Sequence, residues 1–169
     1  MPDPVMLPTR DQWLALCEPW AASKPYIACY FIGDRPDYWQ QVNRLQHETG
    51  LDVVVIPVTE QAFHQGFTLA EGLSPSQWLG VLNGAAHVLT DSFHGTVFSL
   101  LLERPFTVLR RYSDDDAQSK NSRIDNLLTL VGLSGAMGCQ NPAVCREAVR
   151  QMRQEGMVWL INSLRQAGL

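Results

Sequence analysis

The densest group of hydrogen-bonding and titratable side chains is Asp91-Ser92-Phe93-His94-Gly95-Thr96. A histidine such as His94 changes charge near physiological pH, so it can move a proton or donate to a phosphate oxygen. Ser92 and Thr96 can cap a helix or bind the oxygens of an anion. Gly95 either lets a ligand approach the backbone closely or supplies a positive φ. Asp91 has two readings. It orients the His94 imidazole, as carboxylates do in acid–base sites, or it is, like Ser92, an ordinary helix cap, with His94 an interior histidine bonded to backbone.

A second cluster, Lys120-Asn121-Ser122-Arg123, falls at another helix start. Arg123 has the planar fork that clamps a carboxylate or phosphate. A cation there opposes the helix dipole, which a bound anion would explain; the alternative is a solvated arginine beside Asp125. Arg110 and Arg111 follow a strand and are candidates of the same kind, unless Asp114, Asp115 and Asp116 pair with them. His47 reads as solvated, His64 as a loop residue and His87 as structural. Trp13, Trp20, Trp39, Trp78 and Trp159 read as core packing rather than a sugar-stacking platform.

These groups need elements to hold them. The apolar run His87–Thr90 enters the knot, a helix over Thr96–Glu103 leaves it, and Arg104-Pro105 precedes a β-branched run, Phe106–Leu109. That is a βαβ unit with its polar cluster at a strand's carboxyl end, where open parallel sheets bind ligands. The following helix start favours an anion. Upstream, YIACYFI (26–32) and LDVVVIPV (51–58) read as strands buried on both faces. A helix over Asp37–Thr49 carries Tyr38, Val42 and Leu45 on one stripe and stops at Gly50. Ser74-Pro75 opens a helix with Trp78, Leu79 and Leu82 inward and Gly84 at its end. Residues 60–74 have no period and read as a long loop.

At the start, Pro2, Pro4 and Pro8 suggest linker chain. Thr9 then caps a helix over Arg10–Cys17 that Glu18-Pro19 ends. After the polar loop Arg110–Asn121, a helix is expected over Ser122–Val131, capped by Ser122 and ended at Gly132. Residues 134–141 read as irregular, and Pro142–Leu169 as one amphipathic helix or two broken near Gly156. Strands alternating with helices specify an α/β, doubly wound sheet of about four parallel strands with right-handed crossovers.

The 169 residues suffice for one domain with a core. Hydrophobic content of 46% is that of a globular protein, and a net charge of −4 provides no basic stripe for nucleic acid. No apolar stretch approaches the roughly 20 residues of a membrane span, and the start lacks the pattern of a secretory signal. Cys17, Cys29, Cys139 and Cys145 show no metal-ligand spacing and read as reduced thiols of a cytoplasmic protein.

The stretch SPSQWLGVLNGAAHVLTDSFHGTVFSLLLERPFTVL, followed by KNSRIDNLLTLVGL, resembles the C-terminal half of the polysaccharide pyruvyl transferase family. The likeness covers about residues 74–133, and Tyr30–Gly33 also fits the family's first C-terminal-domain strand. It implies a Rossmann-like, mostly parallel sheet, the C-terminal half of a GT-B-like enzyme with its site in an interdomain cleft. Residues 1–23 would then be hinge and N-terminal helix, and residues 24–169 the single Rossmann-like domain.

The implied reaction moves the enolpyruvyl unit of phosphoenolpyruvate onto two sugar hydroxyls of an exopolysaccharide or cell-surface glycan, as a ketal. No cofactor is implied. Phosphoenolpyruvate would be the donor, and a glycan or lipid-linked sugar the acceptor. The missing N-terminal domain would be the other partner, and the location cytoplasmic or peripheral at the inner membrane face. By the resemblance His94 and Asp91 would be catalytic. Ser92, Phe93, Gly95, Thr96, Arg110, Asn121 and Arg123 would bind substrate, the Gly95 and Thr96 amides holding an anionic end. Some members carry arginine where Ser92 stands, so the missing charge must come from Arg110, Arg123 or the absent half. An isolated half would bind donor weakly or not turn over. Two other readings remain: half of a GT-B sugar-nucleotide glycosyltransferase, and a non-catalytic binding module with a vestigial site.

Overall fold

A computed structural model describes residues 2–112 and 121–168. Its centre is four parallel strands: β1 (Tyr26–Tyr30), β2 (Asp52–Ile56), β4 (His87–Thr90) and β5 (Phe106–Val108). Two two-residue strands, β3 (Thr68–Leu69) and β6 (Gly138–Cys139), extend the sheet to six in the order β3-β2-β1-β4-β5-β6. Only β6 runs antiparallel. The expectation of about four strands is corrected at the edges. β3 lies in the stretch read as loop, which also forms a 3-10 turn at Glu60–His64, and β6 in the stretch read as irregular. Strands of two residues leave no apolar run to detect.

The alternation of side chains along each strand divides the core in two. Ala28, Val54, Val88 and Phe106 face helices α3 (Pro75–Gly84), α4 (Phe93–Leu101), α5 (Asn121–Leu130) and α6 (Arg146–Gln166). Ile27, Cys29, Val53, Val55 and Leu89 face α2 (Pro36–Thr49), through Tyr38, Trp39 and Val42. Burial without charge partners pushes the Cys29 thiol far up. α4 is enclosed, with every residue from Gly95 to Leu101 buried.

Local chemistry explains the helix limits. Ser74 and Gln77 close a capping box on α3, as Thr9 and Gln12 do on α1 (Arg10–Leu14), which is shorter than expected. Gly50 stops α2 in the left-handed conformation, at φ 68°. α5 begins at Asn121, so Ser122 lies inside the helix and is not its cap. α6 runs unbroken through Gly156, preceded by a 3-10 turn at Pro142–Cys145. Gly156 is needed for contact instead: a Cβ there would lie 2.7 Å from Pro2 Cγ and 2.8 Å from Leu7 Cδ2.

The proline-rich start therefore departs from the linker reading, because it is fastened to the domain. A 3-10 turn at Pro4–Met6 buries Met6 to 1% exposure. The Trp13 indole N–H donates to the Val5 carbonyl at 2.9 Å, and Arg153 Nε to the Leu7 carbonyl at 2.7 Å.

Candidate functional site

β4 ends at Thr90, whose hydroxyl donates to the Tyr30 carbonyl at 2.6 Å and accepts from the Ser92 amide at 3.1 Å. This tight exit sets the start of α4 directly beside β4. A Cβ on Gly95 would fall 2.3 Å from Thr90 Oγ1. Gly95 is thus required by the packing of helix on strand, not by a ligand's approach or by a positive φ.

Ser92 caps α4, its hydroxyl accepting from the Gly95 amide at 3.3 Å. The Thr96 amide and hydroxyl both donate to the Ser92 carbonyl, each at 3.0 Å. The Gly95 and Thr96 amides, expected to hold an anion, are therefore engaged in the helix's own first turn. Among the described residues, the Phe93 and His94 amides make no bond.

Asp91 does not orient His94. Its buried carboxylate accepts from the Ile32 and Gly33 amides at 2.7 and 2.8 Å, the Tyr38 hydroxyl at 3.1 Å and Arg111 Nε at 3.0 Å. It is a tie between the exits of β1, β4 and β5. Burial, then the Asp91 charge, pushes the Tyr38 hydroxyl far up. Arg111 pairs with Asp91, and Arg110 with Asp125 at 2.7 Å. Arg110 thereby turns toward a separate cavity of about 370 Å³ that Arg35, Asp37 and Tyr112 also line. Asp114, Asp115, Asp116 and Lys120 lie outside the described residues.

His94 and Arg123 do come together. The imidazole is 51% exposed and the guanidinium 58%, and both face the carboxylate of Asp3. Asp3 Oδ2 lies 3.6 Å from His94 Nε2 and 3.9 Å from Arg123 Nη2. The Arg123 guanidinium sits 4.3 Å above the centre of the Phe93 ring, which meets the His94 ring edge-on. Phe93, Asn121 and Arg123 line a cleft of about 70 Å³ backed by Asp91 and Arg111. Asn121 is buried at the start of α5 and donates to the Tyr112 carbonyl at 2.9 Å.

Sequence reasoning missed Asp3 and Tyr38 as parts of this constellation, and it named Arg111 as a candidate without its actual partner, Asp91. Asp3 had one signal: an aspartate before Pro4 is the cap of a proline-started turn. The remaining histidines lie elsewhere. His47 and His64 are exposed. His87 is buried, with Nε2 3.0 Å from Thr107 Oγ1, and burial pulls its imidazole below the ordinary value. Of the tryptophans, Trp159 departs from core packing, at 51% exposure.

A mostly parallel sheet with the polar cluster where β4 hands over to α4 defines a Rossmann-like domain. The chain belongs to the polysaccharide pyruvyl transferase family, whose model matches residues 1–113. That match ends before Asn121 and Arg123. The fold is similar to a structure described as a UDP-N-acetylglucosamine 2-epimerase from Listeria monocytogenes (13% identity, TM-score 0.50, covering 86% of this chain and 46% of that one). A UDP-GlcNAc 2-epimerase from Methanocaldococcus jannaschii also matches, at 12% identity and TM-score 0.49, over 85% of this chain and 42% of that one. So does the glycosyltransferase SnogD from Streptomyces nogalater, at 17% identity and TM-score 0.43, over 81% and 39%. The chain thus spans less than half the length of these structures. No curated protein matches the sequence. Among the described residues no helix is long and apolar enough to cross a membrane.

Proposed function

We propose that this chain is the C-terminal, donor-binding half of an enzyme that transfers pyruvyl from phosphoenolpyruvate to a cell-surface or exopolysaccharide glycan as a ketal. The observation that carries the reading is the exposed His94–Arg123 pair beside the start of α4, in a member of a transferase family. The donor bears a phosphate and a carboxylate, and the site offers a guanidinium, a titratable imidazole and two free amides to receive one of them.

In the reaction, one sugar hydroxyl adds to C2 of the enolpyruvyl unit as its methylene carbon takes a proton. A second hydroxyl then displaces phosphate, closing the ketal. His94 delivers or receives the proton, a role worth about 10²–10⁴ in rate. Arg123 and the α4 amides stabilise the departing phosphate. Asp91 holds the loops that present His94 without touching the reacting atoms. The acceptor is a glycan or lipid-linked sugar, met at the cytoplasmic side of the membrane together with the N-terminal domain.

The test is phosphate release and ketal formation by the full-length protein with phosphoenolpyruvate and a glycan acceptor. His94→Ala is expected to lower the rate by about 10²–10⁴ with the fold intact. Wild-type activity in that variant removes His94 from the mechanism. Heat of binding from a UDP-sugar but not from phosphoenolpyruvate would replace this donor with a sugar nucleotide.

A further inference from the structure

Capping the 3-10 turn accounts for only one oxygen of Asp3. Its carboxylate is only 18% exposed, and a single oxygen, Oδ2, faces both His94 and Arg123. Neither separation is that of a direct hydrogen bond, so the donors of both side chains are far from saturated. The other oxygen, Oδ1, accepts from the Val5 amide at 3.2 Å and caps the 3-10 turn. That turn is pinned by the buried Met6, by Trp13 and Arg153 on its carbonyls, and by Pro2 against Gly156. A carboxylate held by so many contacts over an exposed imidazole and an exposed guanidinium is a built feature.

We propose that the Asp3 carboxylate occupies an oxyanion subsite made by His94 and Arg123, and competes there with the anionic group of the incoming ligand. This rests on the functional reading above and adds what sets donor affinity. The ligand group is a phosphate or carboxylate, whose several oxygens can reach both the imidazole and the guanidinium more closely than one distant carboxylate oxygen does. Arg123 is kept in place meanwhile by its stacking on Phe93. The strap thus screens the site when empty and raises the concentration of anion needed to fill it.

Calorimetric titration of the full-length protein with inorganic phosphate and with phosphoenolpyruvate tests the proposal. Asp3→Asn removes the charge and keeps a capping side chain. It is expected to bind both probes about five- to tenfold more tightly, a gain that shrinks as salt screens the site. Asp3→Ser, a second capping residue without charge, should give the same gain. Arg123→Gln in the Asp3→Asn chain should abolish it. If wild type binds and both Asp3 variants bind equally or more weakly, the proposal is overturned while the donor-site reading stands. If neither wild type nor variants bind either probe, the anion subsite and the donor-site reading fail together.

Discussion

At the scale of single residues, two positions in one short turn have opposite origins. Gly95 is fixed by Thr90: a methyl group there would meet Oγ1 at 2.3 Å, and that hydroxyl is itself committed to Tyr30 and Ser92. Alanine in a helix gains about 1 kcal/mol over glycine. Overpacking against an immobile neighbour costs about 1–3 kcal/mol, with the Thr90 bonds at risk besides. The clash wins, so Gly95→Ala is expected to lower unfolding free energy in urea by about 1–3 kcal/mol. Combining it with Thr90→Ala should cost less than the two changes summed. His94, by contrast, is half exposed and lies outside the core. The sequence pattern identified both positions but not their reasons. Asp91 stands three residues before His94, yet at the strand's end its side chain turns back to the β1 exit and to Arg111. The partner that does face His94, Asp3, lies 91 positions away, and no local spacing encodes such a pairing.

At the scale of elements, legibility followed length and chemistry. β1, β2 and β4 were readable because each is a buried run of four or five residues, and α2 and α3 because a glycine or a serine–proline pair marks an end. The edge strands were not, since two residues carry no period. The N-terminal strap reads as linker because prolines describe linkers and proline-started turns alike; what decides is burial of Met6, a tertiary fact. The strap's hold on α6 can be tested at Gly156. Gly156→Ala should improve the helix by up to about 1 kcal/mol while its methyl group pushes against Pro2 and Leu7. Hydrogen exchange should then quicken at the Met6 and Leu7 amides, which bond to Asp3 and Pro4. Global stability should move by no more than about 1 kcal/mol. Unchanged exchange at those two amides would show that the strap does not depend on this contact.

At the scale of the whole molecule, stability should depend on pH in two separate ranges. Burial depresses the His87 imidazole, so the folded state binds its proton less readily than the unfolded chain. Its contribution is complete above the ordinary value of about 6.5 and is lost as pH falls through the lower folded value. Asp37, paired with Arg35, and Glu103, paired with Arg146, are also depressed, and their contributions fade only below the ordinary carboxylate range of about 4. Thermal melts from pH 7 downward should therefore show a first decline that His87→Gln removes and a later one that it leaves. An unchanged first decline in that variant would assign it to another group.

Both margins of the sheet end in a single short rung ladder, Thr68–Leu69 on one side and Gly138–Cys139 on the other. An approaching extended peptide would find almost no free carbonyls or amides in register, so lateral growth of the sheet stops at six. Recognition of other macromolecules is thereby left to helical surface, and α6 offers Val158, Trp159, Ile161 and Leu164 to the solvent.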